Sequence, residues 1–333
     1  MKKRISIPLT IIIIVLLFIT LKDIDFIEVY NLLKQIKPAY FILAILSYFA
    51  YFLIWNIRWR HTMHGFVKTK FFSLFQVLLA GVFVNTITPG TGIGGEPVRA
   101  YFLNKKYKKP KTKFLSYILA DKTFNLISFA IFIIFSLVFF FFFLDISLIS
   151  RAIALVIIIP LITTMIILFL ILKNSSHEIR WLAKKLYKLK SVRKNFNSFR
   201  HLEKYLALKL YNFKKVFKEV VTDKHKIYFG ITLSIFLRLF EYFAAYLIFL
   251  SLGADINFMS IIVVVTLSNF LGDISPTPGG IGIVEGSMIL LYSAIGIPAA
   301  LAAVAALLTR VVYYFYTILL GGLCFLWLKA SSK

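Results

Sequence analysis

The sequence predicts an all-α polytopic membrane protein, and three observations carry the prediction. Hydrophobic residues make up 60% of the 333 positions, Phe alone supplying 35, whereas a soluble domain is about half apolar and breaks its apolar runs with charge. Several runs with few or no charges approach or exceed the roughly 20 residues that cross a hydrocarbon core. The formal charge of +25 gathers in the segments between those runs, as it does where cytoplasmic loops are rich in Lys and Arg. That distribution assigns the basicity to membrane topology and leaves no reason to invoke nucleic acid.

The elements follow in order. Met1, Lys2, Lys3 and Arg4 precede an apolar run over 5–21. No small-residue cleavage site follows it, so the run reads as a retained first transmembrane helix and not a signal peptide. Residues 22–37 are mixed in charge and amphipathic. A span over 38–59 ends at a short basic loop with Arg60, Lys68 and Lys70. The apolar run 71–87 leads straight into Thr88, Pro89, Gly90 and a Gly-rich stretch to Gly95, and the chain is mostly apolar again to Leu103. Six lysines between 105 and 113 then precede two long spans, 114–144 and 147–172. Segment 173–226 carries 16 Lys or Arg against 4 acids. Its apolar positions Leu202, Leu206, Leu210, Phe213, Phe217 and Val220 step by four and three, a helical stripe. Such a helix lies either on the cytoplasmic membrane face or against the protein's own body. Spans over 227–252 and 258–276, the turn Thr277, Pro278, Gly279, an apolar return to Ile297 and a last span over 298–328 complete the chain.

The basic segments belong in the cytoplasm. Both termini are therefore expected there, in a multi-pass protein of the cell membrane. The sidedness closes only if 71–103 enters from the cytoplasm and returns to it, and if 258–297 enters from outside and returns there.

Those two segments match at a constant offset of 189 residues: Thr88, Pro89, Gly90 and Glu96 fall on Thr277, Pro278, Gly279 and Glu285. The same offset carries the span beginning at Pro38 onto Ile227, and the one beginning at Phe114 onto Ala303. Each half reads span, broken hairpin, span, and the charge rule gives the halves opposite orientation. The expected organisation is thus a single transmembrane domain over 1–333 with two inverted-topology repeats, about 38–144 and about 227–328, joined through the basic linker 173–226. Many secondary transporters share this plan. Pro and Gly leave backbone groups unpaired, and lipid tolerates those only inside protein or against a water-filled cavity. This places both turns deep, as re-entrant hairpins. The alternative, full crossing with surface turns, keeps the same sidedness, but the 11 residues of 93–103 are short of the roughly 20 that crossing needs.

Nine ionisable residues fall inside apolar segments: Glu96, Arg99, Asp121, Lys122, Arg238, Glu241, Asp273, Glu285 and Arg310. Intramembrane charge is costly and marks a substrate or ion pathway, or else a pair that fixes packing. Arg58 and Arg151 sit near span ends and are expected to reach water. Asp121 and Arg310 correspond under the 189-residue offset, so they are expected to pair across the pseudo-twofold axis. Arg238 and Glu241, three apart, share a helix face. Glu96 and Glu285 each fall early in a helix, where a carboxylate complements the N-terminus. Those N-termini could equally receive an anionic headgroup. No metal-ligand spacing, P-loop, dinucleotide fingerprint or nucleophile elbow is present, so neither cofactor, metal nor enzymatic activity is expected. Cys324, the one cysteine, reads as packing.

The run from Ile87 through Gly90 with Gly94, Gly95, Glu96, Pro97, Val98 and Arg99 resembles the flippase-like lysylphosphatidylglycerol synthase transmembrane region. So do the stretch from Pro276 to Gly286 and the tail at 302–310 and 313–322. The resemblance covers nearly the whole chain. It implies movement of lipid or polyprenyl-linked lipid across the membrane, as this domain does for aminoacylated phospholipid in the multiple peptide resistance factor. The family often carries Glu-Arg where this chain has Asp121 and Lys122. The aminoacyl-transferase domain has no counterpart before Lys333, so lysyl-lipid synthesis is not expected. Two functions are carried forward. One is a flippase for a phospholipid or polyprenyl-phosphate lipid, with Arg99, Lys122 and Arg310 meeting phosphate and the two hairpin glutamates meeting a cationic group or a coupling proton. The other is a non-transporting subunit that presents a lipid to an envelope glycosyltransferase or similar enzyme.

Overall fold

A computed structural model describes residues 26–88, 94–143, 198–275 and 277–331, together with Arg180, Lys184 and Tyr187. The expected helix over 5–21, the span over 147–172, Arg151, and the turn residues Pro89 and Gly90 lie outside the described residues. Within them the secondary structure is helical, with no strand.

The helices are α1 (Phe26–Lys34), α2 (Pro38–Thr62), α3 (Phe71–Ile87), α4 (Gly95–Tyr107), α5 (Lys111–Phe143), α6 (Phe199–Thr222), α7 (Lys224–Ser251), α8 (Phe258–Ile274), α9 (Ile283–Ala294), α10 (Ala299–Tyr314) and α11 (Gly321–Ala330). A six-residue π-helical stretch, Phe315–Leu320, joins α10 to α11. Among the described residues, four apolar helices are long enough to cross a bilayer: α2, α5, α7 and the continuous α10–α11 unit. At 1.5 Å per residue, the 25 residues of α2 reach about 38 Å, beyond a core of about 30 Å. The helices between them are shorter. α3 and α8 have 17 residues each, α4 has 13 and α9 has 12, so the last two rise only about 18–20 Å. The order long, short, short, long thus occurs in both halves of the chain.

Local chemistry sets the helix ends. Pro38 opens α2 after Lys37 in extended conformation, where its missing N–H costs nothing. Ser198 caps α6 by accepting from the His201 backbone N–H, and Asp223 caps α7 by accepting from those of His225 and Lys226. Asn257 caps α8, accepting from the Met259 N–H at 2.9 Å. These side chains satisfy donors that a helix start leaves unpaired.

Each long helix turns one face outward. Ile42, Leu43, Leu46 and Phe49 of α2, Ile131 and Ile134 of α5, and Leu323 and Leu326 of α11 are exposed. Bare aliphatic surface on this scale belongs against lipid. The opposite faces pack across the two halves: α2 lies along α7, α3 against α11, and α5 against α8. Small residues let backbones approach, as membrane helices require. A methyl added at Gly321 would come within 2.8 Å of the Leu79 carbonyl oxygen, and one at Gly95 would collide with that of Gly81. The amphipathic α6 packs on α5 and α7. Its stripe residues Leu202, Phe217 and Val220 are buried, while Arg200, Lys204, Lys215 and Lys218 are exposed. Of the two placements open to this helix, its apolar stripe supports the one against the protein's own body.

Candidate functional site

Between the two halves lies a cavity of about 760 Å3. α2, α3, α4 and α5 wall it on one side, and α7, α8, α9, α10 and the second turn on the other. Eight of the nine intramembrane residues expected from sequence line it: Glu96, Arg99, Asp121, Lys122, Arg238, Glu241, Asp273 and Arg310. Glu285 stands one contact behind, bonded to Arg310.

Ion pairs organise this wall. Glu96 accepts from Lys122 Nζ at 3.0 Å, and Glu285 Oε1 accepts from Arg310 Nε at 2.8 Å. Each hairpin glutamate is therefore tied to a base on the long helix that follows it. Arg238 Nη1 donates to Glu241 Oε2 at 2.8 Å, as their spacing predicts, and Asn269 Nδ2 donates to Glu241 Oε1 at 2.9 Å.

The expected Asp121–Arg310 pair does not form. Asp121 is held by Arg58, whose Nε and Nη2 reach its two oxygens at 3.0 and 2.9 Å. Trp55 Nε1 adds a bond at 3.3 Å and Thr62 Oγ1 one at 3.4 Å. Arg58 also donates to Ser234 Oγ at 2.6 Å. The expectation that Arg58 reaches water fails with it, since the residue is 1% exposed. α2 continues past Trp59 to Thr62, which puts Arg58 a full turn inside the helix. The offset argument failed for this pair because α10 packs on α1, α2, α7 and α9 and not along α5, so these two equivalent positions do not meet.

The two glutamates also differ in their helix-capping role. Glu285 Oε2 accepts from the Gly282 backbone N–H at 2.7 Å and so caps α9. At α4 the corresponding bond is made by Asn85, whose Oδ1 accepts from the Gly95 N–H at 2.5 Å.

The second turn is built for close approach. Gly279, Gly280 and Gly282 have φ of +59°, +69° and +83°, a region glycine enters without a Cβ clash. A Cβ at Gly279 would lie 3.0 Å from the carbonyl oxygen of Thr86, so this turn abuts the last turn of α3, where the first turn begins. Pro278 opens a 3-10 turn, Thr277 bonds Ser275 Oγ, and Thr88 closes α3 by donating from Oγ1 to the Val84 carbonyl at 2.7 Å. Arg310 Nη2 donates to the Gly279 carbonyl at 2.6 Å and to Tyr314 Oη at 2.7 Å. Arg310 is thus occupied as a clamp on the second turn.

Two of the nine intramembrane residues, Arg99 and Asp273, make no ion pair among the described residues. Arg99, 3% exposed, passes α3 at Gly81, where any Cβ would collide with its side chain. Its guanidinium lies 5.2 Å from the ring centre of Trp55 and 5.5 Å from that of Trp59. Its Nε makes no hydrogen bond. Asp273, in the last turn of α8, makes no ion pair or hydrogen bond, and its accessible surface lines the cavity.

Residues 5–321 match the model of the lysylphosphatidylglycerol synthase transmembrane region. The chain belongs to that family. Its relatives include a UPF0104 membrane protein of Methanothermobacter thermautotrophicus, 28% identical over 304 residues that cover 88% of this chain and 87% of that one. A UPF0104 membrane protein of Pyrococcus horikoshii is 29% identical over 300 residues, 88% of each chain. One of Methanocaldococcus jannaschii is 28% identical over 309 residues, 91% of this chain and 88% of the other. In this family member, sequence reading missed Arg58, the flanking Trp55 and Trp59, and the capping Asn85. Trp55, Asn56, Arg58 and Trp59 in one apolar helix were the available signal, because an Asn and an Arg among aromatics need buried partners.

Proposed function

We propose that this protein is a lipid flippase, moving a phospholipid or polyprenyl-phosphate lipid between leaflets of the cell membrane as a carrier and not a catalyst. The observation that carries the proposal is the cavity between the halves. It is charged, walled by both hairpins, and holds a buried guanidinium that makes no ion pair among the described residues. An unpaired buried cation is costly and is satisfied by an anion, and lipid phosphate is the anion a membrane supplies. A volume of about 760 Å3 suits a headgroup, while the acyl chains remain in lipid. In this reading the halves are inverted-topology repeats with both termini cytoplasmic. The short α3–α4 and α8–α9 pairs are re-entrant hairpins that rock as gates around the cavity. Their lengths and the offset of 189 residues support that reading.

The test is movement of labelled phospholipids in proteoliposomes. Arg99→Gln should reduce the rate at least tenfold with little change in thermal stability. Glu96→Gln and Glu285→Gln should each slow movement by releasing a hairpin from its base. Full activity of the Glu96→Gln/Glu285→Gln double variant would return both residues to a packing role. Wild-type protein that moves no lipid would remove the proposal.

A further inference from the structure

The unpaired acid opposite Arg99 has a use beyond headgroup binding. Among the described residues, the cavity and its immediate wall carry five bases and five acids, of which four pairs are closed. The empty cavity is therefore neutral when Arg99 and Asp273 are both charged. A lipid phosphate brought to Arg99 makes it net negative by one. Once the cavity closes to cross the membrane, a net charge enclosed in the low-dielectric interior is strongly unfavourable, so carrying the load calls for a compensating positive charge.

The groups facing Asp273 restrict where that charge can come from. Lys122 on α5 is bonded to Glu96, Arg238 on α7 to Glu241, and Arg310 on α10 to Glu285, which lies on the neighbouring α9. Tyr242 on α7 is bonded to Thr266 of α8. Each of the three bases already faces a carboxylate of its own, so its charge is spent in the neutral sum and supplies no additional positive charge. Asp273 also sits in the last turn of α8, where the helix presents the negative end of its dipole and a carboxylate is unfavourable.

Resting on the lipid-carrier reading, we propose that Asp273 is a proton site, and that one proton binds there for each lipid phosphate that binds at Arg99. The proton comes from water reaching the cavity and adds to a carboxylate oxygen; no bond of the lipid changes. The loaded cavity is then neutral and can close, so lipid movement is linked to proton movement in the same direction. Phosphate at Arg99 and the proton at Asp273 favour each other's binding, as linkage requires.

The experiment is calorimetric titration of the full-length protein in detergent with dihexanoyl phosphatidylglycerol, in two buffers of different ionisation enthalpy, with dihexanoyl phosphatidylethanolamine as the zwitterionic comparison. The expected result is uptake approaching one proton per phosphatidylglycerol bound, with affinity falling about tenfold per pH unit on the alkaline side. Asp273→Asn should bind phosphatidylglycerol with no proton uptake and no such pH dependence. Asp273→Glu should retain both, and it decides the matter should the Asn variant fail to fold. Binding without proton uptake in the wild type, or uptake surviving in Asp273→Asn, overturns the proposal and leaves the lipid-carrier reading standing. Tighter binding of the ethanolamine probe that Asp273→Asn weakens also overturns it, because Asp273 would then hold the headgroup ammonium. Failure of both probes to bind overturns the proposal together with the reading it rests on.

Discussion

At Asp121 the donors of Arg58, Trp55 and Thr62 converge on one carboxylate, and Ser234 completes the guanidinium. Removing one partner strands the other in the interior. Asp121→Ala or Arg58→Ala should therefore cost about 3–5 kcal/mol, read as a lowered thermal unfolding midpoint in detergent. Arg58→Met with Asp121→Leu should recover most of that loss, since apolar side chains replace both buried charges. Gly81 tests a different contact. A methyl there overlaps the stem of Arg99, so Gly81→Ala should displace the guanidinium from its place beside Trp55. Overpacking of this kind costs about 1–3 kcal/mol, and phosphatidylglycerol binding should weaken by more than the stability loss accounts for. Unchanged binding in Gly81→Ala would mean that Arg99 finds the cavity by another route.

Among the elements, α6 shows how one helix divides between packing and charge. Phe217 and Val220 face inward while Lys215 and Lys218 face out. Phe217→Ala should cost about 3 kcal/mol of stability. Lys215→Gln and Lys218→Gln should change stability by less than about 0.5 kcal/mol. The two Gln changes should instead weaken association with anionic lipid, an effect that salt screens. The junction of α6 with α7 is pinned by Asp223. The Lys226 backbone N–H, opposed by burial and reinforced by the Lys226 charge and the His225 N–H, holds the Asp223 carboxyl below its ordinary range. A lowered carboxyl contributes stability that is present above its unfolded value, about 3.9, and is lost as the pH falls through the folded value. Asp223→Ala should therefore lower the unfolding midpoint at neutral pH by the equivalent of about 1 kcal/mol. The difference from wild type should shrink as the pH falls through the acid range. A difference that grows on acidification would assign the effect to some other group.

For the whole molecule, opposite orientation of the two halves is the prediction with most at stake. Lys108 follows α4, Asp255 precedes α8, and both are exposed. In a Cys324→Ser background, Lys108→Cys should label only from the cytoplasmic side and Asp255→Cys only from outside, using a membrane-impermeant maleimide on cells and inverted vesicles. Labelling of both from one side is incompatible with inverted repeats and with gates that open alternately.

Membrane class, the helices among the described residues and the identity of the charged residues were legible in the sequence. The bilayer forces apolar runs of a set length, and charge inside such a run is too costly to be incidental. The Arg238–Glu241 pair was legible because its geometry is local to one helix. The long-range partners were not. Arg58 reads as a residue at a span end, and only the extension of α2 to Thr62 and the approach of α5 bring it onto Asp121. Arg310 reads as a phosphate ligand paired with Asp121, and only the folding back of α9 and the second turn engages it instead with Glu285 and Gly279. Sequence fixes which residues must be satisfied inside a membrane. Which of them satisfy one another depends on helix packing, and so tertiary structure alone left Arg99 and Asp273, among the described residues, facing an open cavity without an ion pair.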